Sequence, residues 1–330
     1  MSTSSPRLPQ KLIVEDGAVV GVVAESDGEP MRIGGKAVIL ATGGMGSDPD
    51  RIYKYSWAAP GAYNMNVLTP LQNVGDGLDM ALAVGADPSC ITTCPLLAAG
   101  GRDMTMDSQV GGAGINPGVW VNKTGKRFCA ESVAENIGDI GSYYAKQPGG
   151  IVWSILSQAD IDRLINEGSE IAIGEFVVFH KPMDRLPIEL DAHLETGLVK
   201  KADSFAQLAE LMGLPVDDFV ATMEDYNKFC EEGYDAAFMK KPQYLRPMVE
   251  GPYYGVPLAT GTMGSAGGIR INANMQVVTD AGTPIPGLYA VGLDATGMYG
   301  DCYNMEVPGA ANGFAHTSGR IAARHAIANM

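Results

Sequence analysis

Lys36–Gly44 reads KAVILATGG, and the fold turns on how this stretch is read. Lys36 to Ala41 is a continuous apolar run, the pattern of a strand buried on both faces. It stops abruptly at Thr42-Gly43-Gly44. Two glycines at a strand end let backbone N–H groups approach a flat or anionic ligand with no Cβ in the way. A plain tight turn has the same signature. Near the other end of the chain, Leu288 to Val291 (LYAV) is a second buried strand, and it delivers Gly292 and Asp294 to a loop.

Working outward, Lys11 to Glu15 and Ala18 to Ala24 flank Asp16-Gly17, a hairpin signal. Gly75-Asp76-Gly77 opens a short helix with Asp76 as its N-cap and closes on Gly85. A helix start offers unpaired N–H donors and a positive dipole end. From about Pro88 to Val256 the texture changes to an inserted α+β domain. Gly111 to Gly114 reads as a flexible loop, Gly118 to Asn122 as a strand, and Asn122 to Gly125 as a turn. Ser157 to Glu167, Ser204 to Met212 and Pro215 to Glu232 read as helices, the last with Phe219, Met223, Tyr226 and Cys230 on one face. Ile269 to Ile271 and Gln276 to Val278 are further strands. Gly309 to Ala328 is a long helix carrying Phe314, Ile321 and Ile327.

The 330 residues are 46% hydrophobic with 42 Gly and 20 Pro, enough for one large domain or two ordinary ones. A net charge of -15 repels phosphate backbones and argues against a nucleic-acid partner. No apolar run reaches the roughly 18 residues that span a bilayer. Met1 to Gln10 has no apolar signal-peptide core. Cys90, Cys94, Cys129, Cys230 and Cys302 have neither a second pair nor a nearby His, so they read as reduced thiols and not as a metal site.

The block Pro286 to Arg320, PGLYAVGLDATGMYGDCYNMEVPGAANGFAHTSGR, ends in a helix that begins near Gly309 among small residues. Such a helix start can stabilise negative charge at an electron-rich ring edge, as a reduced flavin requires at N1 and its C2 carbonyl. ATGG, GDG, the turn GKRFCAE (Gly125 to Glu131), PGLYAVG and PGAANG…GR, in that order, resemble the fumarate reductase and succinate dehydrogenase flavoprotein family. Its broader group includes flavin-dependent ketosteroid dehydrogenases and bacterial reductases of small organic acceptors. The likeness runs from about Lys11 to His325.

The resemblance implies FAD as cofactor and an α/β fold with an α+β cap. Residues 1–90 and 258–330 form a discontinuous, Rossmann-like FAD-binding domain, and 91–257 a mobile capping domain over the flavin. It implies that Ala41, Thr42, Gly43 and Gly44 lie near the adenosine-diphosphate part, and Asp76 and Gly77 near the flavin and its linker. Asp294 binds a hydroxyl of the FAD chain, and Gly309, Ala310, Ala311 and Asn312 face the pyrimidine edge.

Two departures sharpen the expectation. Family members begin with a strand and GxGxxG, which seats the pyrophosphate. Residues 1–50 contain none, so the N-terminal part is expected to be missing, in a fragment or with a second chain supplying it. Fumarate reductases clamp two carboxylates with Arg and His and use an Arg as proton donor. Ser132 to Asn136 stand where that Arg is expected, Glu306 or a neighbour holds the place of the late Arg, and Thr262 to Gly268 lacks the His. The expectation is therefore reduction of an activated C=C bond in a neutral or aromatic small molecule, with electrons from a donor protein or reduced carrier.

Such a reaction needs hydride at one carbon and a proton at its neighbour. Tyr299 or Tyr303 is the expected acid, with Glu306 orienting substrate and Asp301 nearby. The plainer readings are loop tyrosines with satisfied hydroxyls and a capping carboxylate. Met263, Met298 and Met305 could line an adaptable pocket. Arg127 and Glu131 are spaced for a local ion pair, and His316 reads as packed or solvent-facing. A ketosteroid-type dehydrogenase and a non-catalytic half-site subunit are the competing functions.

Overall fold

The computed structural model describes residues 11–26, 28–55, 65–67, 72–92, 96–98, 104–105, 107–172, 177–262, 264–265, 267–295, 299, 307 and 309–330. They divide into two compact units. One comprises Met1–Trp57, Val67–Cys94 and Met263–Met330, the other Ala58–Asn66 and Pro95–Thr262.

In the first unit, strands Lys11–Glu15, Ala18–Ser26 and Glu29–Gly34 form an antiparallel meander. Asp16 (φ 50°) and Gly17 (φ 79°) are both left-handed, the backbone a two-residue hairpin turn requires. A mixed three-stranded sheet joins the two ends of the chain. Val38–Leu40 runs parallel to Pro284–Ala290, with Leu288 opposite Val38 and Ala290 opposite Leu40, and Gln276–Val278 pairs antiparallel on the other side. Val19, Leu40, Leu78, Ala81, Ile269, Leu288 and Ala290 share one buried core. Burying apolar area from both ends of the chain against each other is what closes this unit.

Three sequence expectations are corrected here. The strand foreseen over 36–41 forms only at Val38–Leu40, and Ile39 is 37% exposed. That exposure shows that the strand is not buried on both faces, and among the described residues it has a strand partner on one side only. Ile269 and Ile271 make isolated bridges to Ala295 and Val277 in place of a strand. The helix Asp76–Ala83 takes Gly75 as its N-cap, at φ 92° and without a side-chain cap. Glycine takes this left-handed backbone without a Cβ penalty, and Asp76 follows as the first helical residue.

The second unit is built on an antiparallel sheet ordered Val119–Asn122, Val152–Ser157, Tyr253–Leu258, Lys200–Ala202. Phe219, Met223 and Tyr226 of the helix Val216–Glu232 bury against it, with Leu208 and Met212 of Phe205–Met212. Gly111 to Gly114, expected as a flexible loop, lie in a buried helix, Gln109–Gly114. Two features override the poor helix propensity of glycine. The Ser108 hydroxyl accepts from Gly111 N–H, and Glu189 accepts from Gln109 N–H at 2.7 Å. Side chains would also collide: a Cβ on Gly114 would lie 2.8 Å from Leu258.

The turn GKRFCAE organises a buried ionic network. Arg127 donates to Glu131 through Nε (2.8 Å) and Nη2 (2.7 Å), as its spacing suggested, and to Asp235 at 2.7 Å. Lys240, fully buried, lies 3.6 Å from Glu131 and donates to the Gly118 carbonyl. Two cations face two carboxylates, so the buried charge is balanced. Burial pushes the neighbouring Cys129 thiol well above its usual range, in keeping with an unreactive structural cysteine. Among the described residues, no helix is long and apolar enough to cross a membrane.

Candidate functional site

The first unit brings ATGG, GDG and the loop after LYAV to one point, the carboxylate of Asp294. Asp294 is 1% exposed. Its Oδ1 accepts from the Thr42 hydroxyl and from Gly44 N–H, both at 3.0 Å, and its Oδ2 accepts from Thr42 N–H. The Thr42 hydroxyl in turn accepts from Gly77 N–H at 3.0 Å. Gly75 N–H donates to the Gly44 carbonyl at 2.9 Å. Burial drives the Asp294 carboxyl above the usual carboxylate range, against the opposing pull of the Thr42 and Gly44 donors.

The glycines of these motifs are explained by the same contacts. A Cβ on Gly77 would lie 2.6 Å from the Thr42 hydroxyl and 3.1 Å from the Asp294 carboxylate, and one on Gly44 would lie 2.4 Å from Ser265 Oγ. At both positions the absence of a side chain makes room for the protein's own groups.

The long helix Ala310–Ala328 packs against the turn Gly292–Asp294. Gly292 N–H donates to Ser318 Oγ at 3.0 Å, and a Cβ on Gly292 would touch Ala315. The helix is therefore tethered at Ala315 and Ser318, through residues 292–294, to the strand end at 41–44. Gly309 is its N-cap at φ 78°, with no side-chain cap, and a Cβ there would meet nothing within 4 Å. Ala310 and Ala311 are half-buried and Asn312 is exposed. Of the expected catalytic residues, Tyr299 is half-buried. Tyr303 and Glu306, with Asp301, Met263, Met298 and Met305, lie outside the described residues. His316 is exposed on the long helix. No metal-binding cluster of His, Cys, Asp and Glu occurs among the described residues.

Residues 8–306 match the FAD binding domain family. The chain belongs to this family. A vinyl phenol reductase of Lactiplantibacillus plantarum is 35% identical over 325 residues, covering 94% of this chain and 64% of that protein. A probable fumarate reductase of Shewanella frigidimarina is 32% identical, covering 96% and 49%. The chain thus spans about half to two thirds of the length of these relatives. The crystal structure of a 3-ketosteroid delta1-dehydrogenase from Sterolibacterium denitrificans superposes with a TM-score of 0.74 at 21% identity, covering 97% of this chain and 59% of that one. That likeness fixes the fold. FAD is the family's cofactor, and the resemblance to fumarate reductase-like flavoproteins is borne out.

The FAD-family residues fit their cofactor unevenly. Gly309–Asn312 suit a flat ring carrying negative charge: a helix start with no side-chain cap, a left-handed glycine and small neighbours, although Ala310 N–H already donates to the Val307 carbonyl at 3.2 Å. Asp294 fits less simply. A carboxylate offers about four acceptor positions, and three are already taken by Thr42 and Gly44. The role for Thr42 and Gly44 as partners of Asp294 was missed from sequence, because nothing in a one-dimensional pattern pairs residues about 250 positions apart.

Proposed function

We propose that this chain belongs to a flavin-linked oxidoreductase that reduces an activated C=C bond in a small neutral or aromatic acceptor. The observation that carries this reading is the 35% identity to a vinyl phenol reductase across 94% of the chain, supported by a helix start at Gly309 that has no side-chain cap. FAD, when bound, supplies the hydride. The chain's own groups do the rest. The positive end of Ala310–Ala328 holds charge at the ring edge. Tyr299 or Tyr303 gives a proton to the carbon next to the one that receives hydride, and Glu306 orients the acceptor. Electrons come from a donor protein or a reduced carrier.

The test is to titrate the protein with FAD, follow the visible flavin band, reduce it anaerobically, and time reoxidation by vinylphenols, enones, acrylate and fumarate. Neutral aromatic alkenes should reoxidise it at least about tenfold faster than fumarate. Absence of flavin uptake, or fumarate as the fastest acceptor, sinks the reading. In a turnover assay, Phe at the catalytic one of positions 299 and 303 should lower kcat by about 100-fold or more; two unaffected variants would remove tyrosine from the acid role.

A further inference from the structure

We propose that Thr42 and Asp294 are positioning residues that form an internal knot, setting the strand end 41–44 and the helix start at Gly77 before any cofactor arrives. The sequence resemblance makes them cofactor contacts; the geometry points elsewhere. Thr42 Oγ1 is a relay. It donates to Asp294 Oδ1 and accepts from Gly77 N–H, each at 3.0 Å. Gly44 N–H reaches the same Oδ1 at 3.0 Å. On the far side, the Asp294 carbonyl accepts from Ile269 N–H at 2.8 Å, and a Cβ on Gly268 would lie 2.6 Å from that carbonyl. Two separate segments thus meet on one residue that is 1% exposed, and a third, at Gly77, joins them through Thr42.

Gly77 lies in the first turn of its helix, where an N–H has no intrahelical acceptor, and an unpaired buried donor is costly. Substituting Thr42 by Val keeps the shape and removes both of its relay bonds. Gly77 then loses its acceptor, and Asp294 loses a donor. A local contact would disturb only its own strand end, whereas a knot must loosen 42–44 and 75–77 together. The relevance to flavin rests on the reading above; the knot itself does not, and the two fail separately.

Hydrogen exchange of the protein without added FAD tests the knot. In the unmodified chain, the Gly44 and Gly77 amides should show matching protection. Thr42→Val should speed exchange of both by about tenfold, and Thr42→Ser, which restores the hydroxyl, should return both towards the original rates. Gly77 keeping full protection in Thr42→Val, or the two amides differing widely in the unmodified chain, overturns the proposal. If the chain takes up FAD, Thr42→Val and Asp294→Asn should weaken it by similar factors, and the double variant by no more than the worse single one. Weakening by Asp294→Asn alone would make Asp294 a direct cofactor contact and overturn the positioning role.

Discussion

At the residue scale, the strongest structural commitment is Arg127. Its guanidinium is clasped by Glu131 and Asp235 and lies 5.2 Å from the ring centroids of Tyr226 and Phe238. Arg127→Ala leaves two buried carboxylates facing a single lysine, and should cost about 3–5 kcal/mol in chemical denaturation. A loss under about 1 kcal/mol would mean the network is not buried as described. Asp87 gives a pH signature. Arg270, donating at 2.8 Å, and the Ser89 backbone hold its carboxyl down to about 2 from the usual 3.8. The stabilisation is complete above the unfolded value and is lost as pH falls from about 4 through 2. Asp87→Asn should flatten this part of the acid-denaturation curve while leaving the rest intact.

At the scale of single elements, Gln158–Glu167 is bracketed at both ends. Ser157 and Asp160 form a capping box, and Gly168 ends the helix at φ 83°. Ser157→Ala should cost about 1 kcal/mol. Gly168→Ala should cost more, about 2–4 kcal/mol, because its Cβ would fall 2.2 Å from the Lys181 carbonyl oxygen in a backbone region unfavourable to side chains. Thermal unfolding of the two variants orders them; an equal shift would contradict the close approach. This helix was legible in sequence because capping is local chemistry within four residues. The buried glycine helix Gln109–Gly114 was not, since besides the local Ser108 cap it depends on Glu189, 80 residues away, which accepts from Gln109 N–H.

At the scale of the whole molecule, the net charge of -15 predicts that the protein runs through heparin or DNA columns unretained at low salt. Firm retention would reveal a basic patch that the overall balance conceals. The order of ATGG, GDG, GKRFCAE, PGLYAVG and PGAANG was enough to identify the FAD-binding family and the α/β architecture, because turn glycines, buried runs and helix starts are written in neighbouring residues. The partners of those motifs were decided only in three dimensions. Whether a motif glycine makes room for a ligand or for Thr42 and Asp294 depends on packing between segments hundreds of residues apart. The exposure of Ile39, the balancing of Arg127 by Asp235, and the capture of Asp294 by its own backbone neighbours have the same origin. Hydrogen bonding and exclusion of water act through space, and the chain's order in sequence does not record which distant groups will compete for the same donor.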